Sequence, residues 1–188
     1  MNSDLELAYC AGLFDGEGHV ALHRSFTYNK RKETSYGKQP NYRYRLHAQV
    51  NQVHIEAVAR MYIAFGGALY FRKRTWGPKD PQRTTPYAGR WVWEANDMTA
   101  MHALKHMLPW LQLETAEAEL GLKFAQTKLP PNSRVGKRSR KLGRTPEELA
   151  FQEWAFVEMQ RLKWLHDNPL LQDEYLKIDQ SLRRVLHL

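Results

Sequence analysis

Residues 10–18 read Cys-Ala-Gly-Leu-Phe-Asp-Gly-Glu-Gly, a run of small and apolar side chains that carries two carboxylates near its end. Glu17 lies between Gly16 and Gly18, so its side chain can leave the end of a helix unobstructed, with the Gly16 carbonyl as a second oxygen beside it. Hard oxygen donors of this kind suit Mg²⁺ (or Mn²⁺), which takes carboxylate and carbonyl oxygens close to phosphate and keeps several waters. An ion held there activates water and stabilises a leaving oxygen, so phosphodiester hydrolysis needs no protein nucleophile. The plain alternative is a solvated surface acid after a helix, and Glu17 alone does not separate the two.

The charge pattern favours a polyanion as partner. The chain of 188 residues has a formal net charge of +8, and the excess is sorted along it. Arg24–Arg45 holds seven Lys or Arg against one acid, Arg72–Arg90 six against one, and Arg134–Arg144 six against none. Acids gather instead in 114–119 and 147–179. Sorting of this kind is expected where one surface meets phosphates. Cys10 is the single cysteine, which excludes an intramolecular disulfide and a cysteine-based zinc cluster. No apolar run reaches the length of a membrane span, and the first residues lack the basic and apolar regions of a signal peptide. An intracellular location is the expectation.

The elements that must position Glu17 follow from pattern. Ser3 with Glu6 forms a capping box, so a helix starts near Asp4 and is expected to stop where Gly16 and Gly18 break it. His19–Thr27 alternates as a strand. Asn41–Gln52 alternates more cleanly, with Tyr42, Tyr44, Leu46, Ala48 and Val50 on one face and Arg43, Arg45, His47, Gln49 and Asn51 on the other. A helix is predicted over 53–65 with Val53, Ala57, Met61 and Ile63 inward, closed by Gly66-Gly67. Strands follow at 68–76 and 88–95, the second with Trp91 and Trp93 on one face. Asp97 is expected to cap a helix to Met107, Pro109 interrupts, and 113–128 makes another helix. The order gives an α+β fold of two layers, helices on one sheet face and Arg, His and Gln on the other. Residues 129–145 read as a basic linker, which either orders on phosphate or stays a solvated tether. Pro146, after the capping Thr145, opens a helical extension over 146–188. Its helix to about His166 is aromatic, and Trp154 and Trp164 suit packing better than base stacking.

The segment Tyr9–Val20, YCAGLFDGEGHV, resembles the signature of the LAGLIDADG homing endonucleases: Ala11, Gly12, Leu13, Asp15 and Gly18 match, and Glu17 takes the second acidic position. Cys10 departs from the usual leucine. Residues 47–74 resemble that family's second strand, second helix and third strand, and 108–126 its closing helix, so the likeness covers about 4–128. It implies an αββαββα core, residues 1–128, whose four-stranded antiparallel sheet binds DNA, with the helical extension added.

What the resemblance implies about the site goes further. Glu17 and Gly16 hold the metal, and Gln52 orients water near the scissile phosphate, although Gln52 reads equally as a cap for the helix that follows. Ala21, His23, Ser25, Arg43, Arg45, His47, Gln49, Arg72, Arg74 and Arg90 face the major groove, where Arg suits guanine and Gln adenine. For each of these, solvent exposure or a phosphate contact is an equal alternative to base readout. The chain carries one motif, so cutting both strands requires a homodimer with Ala8, Ala11, Gly12 and Asp15 at the seam, small residues there letting helices approach. A two-fold assembly predicts a pseudo-palindromic target. The activity implied is metal-dependent, site-specific cleavage of double-stranded DNA. A non-cleaving DNA-binding regulator, or a maturase that binds intron RNA, is the alternative on the same fold. One departure weighs toward the alternative: Glu114 stands where many family members carry a lysine and Glu56 near a position that is basic in them, with Arg60 and Lys105 as candidates to restore the charge.

Overall fold

The computed structural model describes residues 3–27, 41–73, 89–127 and 146–168. Among these residues five α-helices and four strands run in the order α1 (Asp4–Glu17), β1 (Gly18–Thr27), β2 (Asn41–Gln52), α2 (Ile55–Phe65), β3 (Ala68–Arg72), β4 (Arg90–Asn96), α3 (Asp97–Met107), α4 (Thr115–Gln126) and α5 (Pro146–Asp167). The sheet order is β1-β2-β4-β3, every pair antiparallel. This is the α+β architecture expected from the pattern, with the helices over one face.

The alternation in β2 produces that sidedness. Tyr44, Leu46, Ala48 and Val50 are buried beneath the helices with Val20 and Leu22 of β1 and Trp93 and Ala95 of β4. The helices close the core with Phe14, Val58, Met61, Phe65, Leu104, Met107 and Phe124. Each side chain of this size removes about 1.5–3 kcal/mol worth of apolar surface from water. Trp93, fully buried, also donates from Nε1 to the Gly66 carbonyl at 2.8 Å.

Helix α1 starts as its capping box requires, the Ser3 hydroxyl accepting from the Glu6 N–H at 3.3 Å. It does not stop at Gly16 but runs through it to Glu17, since a single glycine costs a helix only about 1 kcal/mol. Gly18 makes the break: it is extended, and a Cβ there would lie 2.6 Å from the Phe14 carbonyl oxygen. Only glycine lets β1 leave α1 so sharply.

Two further expectations are corrected. In α2 the inward stripe is Val58, Met61 and Phe65, whereas Val53 precedes the helix and Ile63 is 80% exposed. A helix started at Ile55 turns 3.6 residues per turn, which puts Ile63 almost opposite Phe65. Asp97 does not cap α3 either. It sits at φ 48° as the first helical residue, and its Oδ1 accepts from the Leu46 N–H at 3.2 Å, ending the β2–β4 ladder. Strand β3 ends at Arg72 and β4 begins at Arg90, with Lys73 and Gly89 outside both, and the expected strand residues from Arg74 to Trp76 and at Ala88 lie outside the described residues.

The helix expected after Pro146 is α5. Its Ala155 and Met159 are buried in the same core cluster as the sheet. Glu153 accepts from Arg24 Nη1 at 2.8 Å and from the Tyr44 hydroxyl, and the Arg24 guanidinium lies 4.7 Å from the Phe156 ring centroid. Trp154 and Trp164 are exposed on its outer side. Among the described residues no helix is long and apolar enough to cross a membrane.

Candidate metal end and nucleic-acid face

Glu17 is the last residue of α1 and is exposed, as is Gly16, where an added Cβ would meet open space. The final carbonyls of a helix lack intrahelical partners and form the negative end of its dipole. The last turn of α1 carries no basic residue to offset this. Carboxylate, free carbonyls and dipole therefore make an oxygen-rich spot of negative potential, which fits a hard divalent cation. Among the described residues no group of three His, Cys, Asp or Glu is arranged to hold a metal.

Asp15, two residues earlier, has a different task. Its carboxylate accepts from the backbone N–H groups of Gln112 at 2.8 Å and of Leu113 and Glu114 at 3.1 Å each. These are the N–H groups at the entrance to α4, whose own N-cap side chain makes no capping bond. Asp15 therefore fastens α1 to α4 within the chain, which corrects its assignment to the seam. Ala11 is corrected likewise, being fully buried in the chain's own core. Gly12 is exposed and Ala8 half-buried, on the side of α1 that also exposes Leu5, Tyr9 and Gly16. Cys10 is buried, and burial, then the nearby Glu6 charge, push its thiol up to about 11. That thiol stays protonated and unreactive.

Gln52 ends β2 two residues past Val50, the partner of Gly18, so it lies at the α1 end of the sheet. Its Oε1 accepts from the Val53 N–H at 3.0 Å. Glu114 is buried, and its Oε2 has no hydrogen-bond partner among the described residues. Burial, with the Glu117 charge, pushes its carboxyl up toward the neutral form. Glu56 is exposed. Arg60 lies 4.5 Å from the Tyr9 ring centroid and 3.5 Å from Glu6 Oε2. That is about 12 Å of helix away from Glu17, so Arg60 is committed to the other end of α1. Lys105 is exposed on α3.

The sheet face away from the helices collects the expected recognition residues. The register places His19, Ala21, His23 and Ser25 of β1 opposite Gln49, His47, Arg45 and Arg43 of β2. Asn96, Glu94, Val92 and Arg90 of β4 and Ala68, Tyr70 and Arg72 of β3 complete it. Arg43, Arg45, His23, Ser25, Arg72 and Arg90 are exposed, while Arg74 lies outside the described residues. Ala21, His47 and Gln49 are corrected from open contacts to buried ones; His47 retains 4% exposure. They lie at the centre, where the neighbouring side chains close over them. His23 stacks on His47 with ring centroids 4.4 Å apart, and Gln49 Nε2 donates to Asn51 Oδ1 at 2.7 Å.

Burial, then the Lys163 charge, lower the His19 imidazole to about 4, and burial first lowers His47 in the same sense. Below its ordinary value of 6.5 the unfolded His19 binds a proton that the folded one refuses. Stability therefore falls as pH drops from 6.5 toward 4, while Glu114 opposes the trend. The measured urea midpoint should decline over that window, and His19→Gln should flatten the decline. Equal slopes in the two proteins would refute this account.

Sequence reasoning missed Glu94, Tyr70 and Asn96 on this face, and it placed Asn51 there without a role. The alternation Arg-Trp-Val-Trp-Glu-Ala-Asn in β4 carried the signal for Glu94, because it shares a face with Arg90.

Solved structures share this architecture. The homing endonuclease I-CvuI, in complex with the I-CreI target with 2 mM Mg and the DNA not cleaved, matches with a TM-score of 0.54 and 19% identity. The match covers 84% of this chain and 82% of that one, and the I-CvuI complex with its own target and Ca gives the same figures. The archaeal intron-encoded homing endonuclease I-Vdi141I, complexed with DNA, aligns over 88% of this chain and 97% of its own at 11% identity and a TM-score of 0.49. No protein-family model matches the chain, and no curated protein matches it. The fold is that of the homing endonucleases, as the motif at 9–20 implied.

Proposed function

We propose that this chain, built on the homing-endonuclease fold, is a site-specific endonuclease that cuts double-stranded DNA as a homodimer with a divalent metal. The observation that carries the reading is the exposed Glu17 carboxylate at the end of α1, at one end of a sheet whose open face bears Arg43, Arg45, Arg72 and Arg90. A duplex laid along that face would carry its phosphates from those arginines to the one carboxylate of the motif left unengaged.

Glu17 and the Gly16 carbonyl would hold Mg²⁺ or Mn²⁺, which when bound supplies Lewis-acid stabilisation and an activated water. Gln52 would turn its amide from the Val53 N–H toward that water. The exposed side of α1 with Ala8, Gly12 and Gly16 would meet its copy across a two-fold axis. Pairing two copies brings two Glu17 side chains together, and their repulsion is relieved by the metal charge. The arginines would supply phosphate contacts and guanine readout, with β2 spanning about one duplex turn. Residues 1–128 would form the catalytic core and the extension would brace it through Glu153, with 129–145 adding phosphate contacts.

The burial of Glu114 removes part of the objection raised by an acid near α1. Its neutral form is favoured, so it opposes the phosphates less than an exposed acid would.

The test uses DNA that spans the site flanking the gene, together with a randomised duplex library, incubated with the full chain and Mg²⁺ or Mn²⁺. Double-strand breaks at one long, pseudo-palindromic site are expected. Sequence-specific binding without breaks under either metal would overturn the nuclease reading in favour of a binding protein.

A further inference from the structure

Among the described residues Glu94 is the single carboxylate on the open face of the sheet. β4 holds it between Gln49 of β2 and Ala68 of β3, near the middle of that face. An acid is out of place on a surface that gathers phosphates, since it repels them. A stray acid would turn its charge outward into solvent. Glu94 is instead tied from both sides.

The Tyr70 hydroxyl donates to its Oε2 at 2.7 Å, and Asn96 Nδ2 donates to Oε1 at 3.0 Å. His47 Nε2 lies 3.5 Å from the same Oε1. Tyr70 is itself oriented, because its oxygen accepts from Arg72 Nη2 at 2.8 Å. The Tyr70 bond, then the Asn96 bond, hold the Glu94 carboxyl below its ordinary range, so it is ionised at neutral pH. A polar chain thus crosses β2, β4 and β3, and its central member is a fixed anion.

The Glu94 side chain keeps 26% of its surface exposed. A carboxylate offers about four lone-pair sites, and Tyr70 and Asn96 occupy two. The remaining capacity can accept a hydrogen bond from a ligand lying on the sheet. In the major groove guanine offers two acceptors and thymine an acceptor with a methyl group. Adenine offers a donor, but its N7 acceptor stands beside it and is repelled by an anion. Cytosine offers its N4 donor alone.

We propose that Glu94 is a specificity-determining residue that accepts from the N4 amine of one cytosine in each half of the target, with Tyr70 and Asn96 positioning its carboxylate. This rests on the reading of the open face as the DNA-binding surface. Two related copies would require that cytosine at two positions symmetric about the target centre.

Duplexes bound by the full-length protein are selected from a randomised library and sequenced, for the wild type, Glu94→Gln and Tyr70→Phe. The wild-type pool should fix cytosine at one position in each half-site. Glu94→Gln should switch that position toward adenine, which a glutamine amide pairs through N6 and N7. The cytosine preference should fall by about fivefold to 150-fold, the usual cost of one wrong base pair, with other positions unchanged. Tyr70→Phe should weaken the same position without switching it, and it carries the test should Glu94→Gln not fold. A cytosine preference untouched in both variants would overturn the role of Glu94 and leave the DNA-binding reading standing. A wild-type pool that converges on no sequence would overturn both.

Discussion

A Glu17→Gln variant is expected to keep its fold and its DNA affinity while losing strand cleavage by about 1000-fold or more. The substitution preserves shape and removes only the charge. Glu17 is exposed at the end of α1 and engages in none of the contacts that build the core, so stability should hardly change. Binding should persist or tighten, because a negative group near the phosphates is gone. Cleavage depends on that charge if it helps retain the metal. Loss of one electrostatic group aimed at a reacting centre costs about 100- to 1000-fold, and loss of a metal ligand removes the water activation as well. Among the described residues the neighbouring acids cannot substitute. Asp15 is already engaged by three N–H groups, and Glu114 is buried. Time courses of double-strand breaks beside gel-shift titrations provide the measurement. Cleavage by the variant at the wild-type rate would sink the assignment.

The strand β2 was legible in the sequence to its ends, because a period of two with aromatic and aliphatic residues on one side leaves one way to bury them. The break after Glu17 was legible in kind, though Gly16 does not end the helix. Less legible was anything set by contacts far along the chain. Asp15 caps α4 across about a hundred residues, and no local pattern announces that. A motif position reads the same whether its side chain faces a partner or the core, which is why Ala11 and Gly12 were grouped although only Gly12 is exposed. Glu94 was within reach of the alternation rule, but its charge runs against the basic character of the face, so among the described residues it is the one member that composition does not suggest. The burial of His47 and Gln49 was beyond reach, since it depends on how far neighbouring side chains close over the centre of the sheet.

Replacing Asp15 by alanine should cost about 3 kcal/mol in stability, the largest loss expected from one exposed or half-buried position. The carboxylate takes the N–H groups of Gln112, Leu113 and Glu114, which enter α4 without a capping side chain of their own. A capping residue lost to alanine costs about 0.5–2 kcal/mol, and a hydrogen bond to a charged acceptor contributes about 1.5–3 kcal/mol. Three such bonds do not add fully, because Gln112 and Leu113 are exposed and water takes up part of the loss. Asp15→Asn separates charge from geometry. An amide oxygen in the place of Oδ1 still accepts from Leu113 and Glu114, so only the Gln112 bond is forfeited, and about 1 kcal/mol is the expected cost. Urea unfolding of the three proteins gives the ranking, and an alanine variant as stable as the wild type would refute the cap. Set beside Glu17→Gln, the pair divides the motif by consequence. The first acid fails in stability, and cleavage per folded molecule drops only as far as the end of α1 moves. The second fails in cleavage with stability intact. Two carboxylates two residues apart then hold separate duties because three backbone N–H groups occupy one and leave the other free.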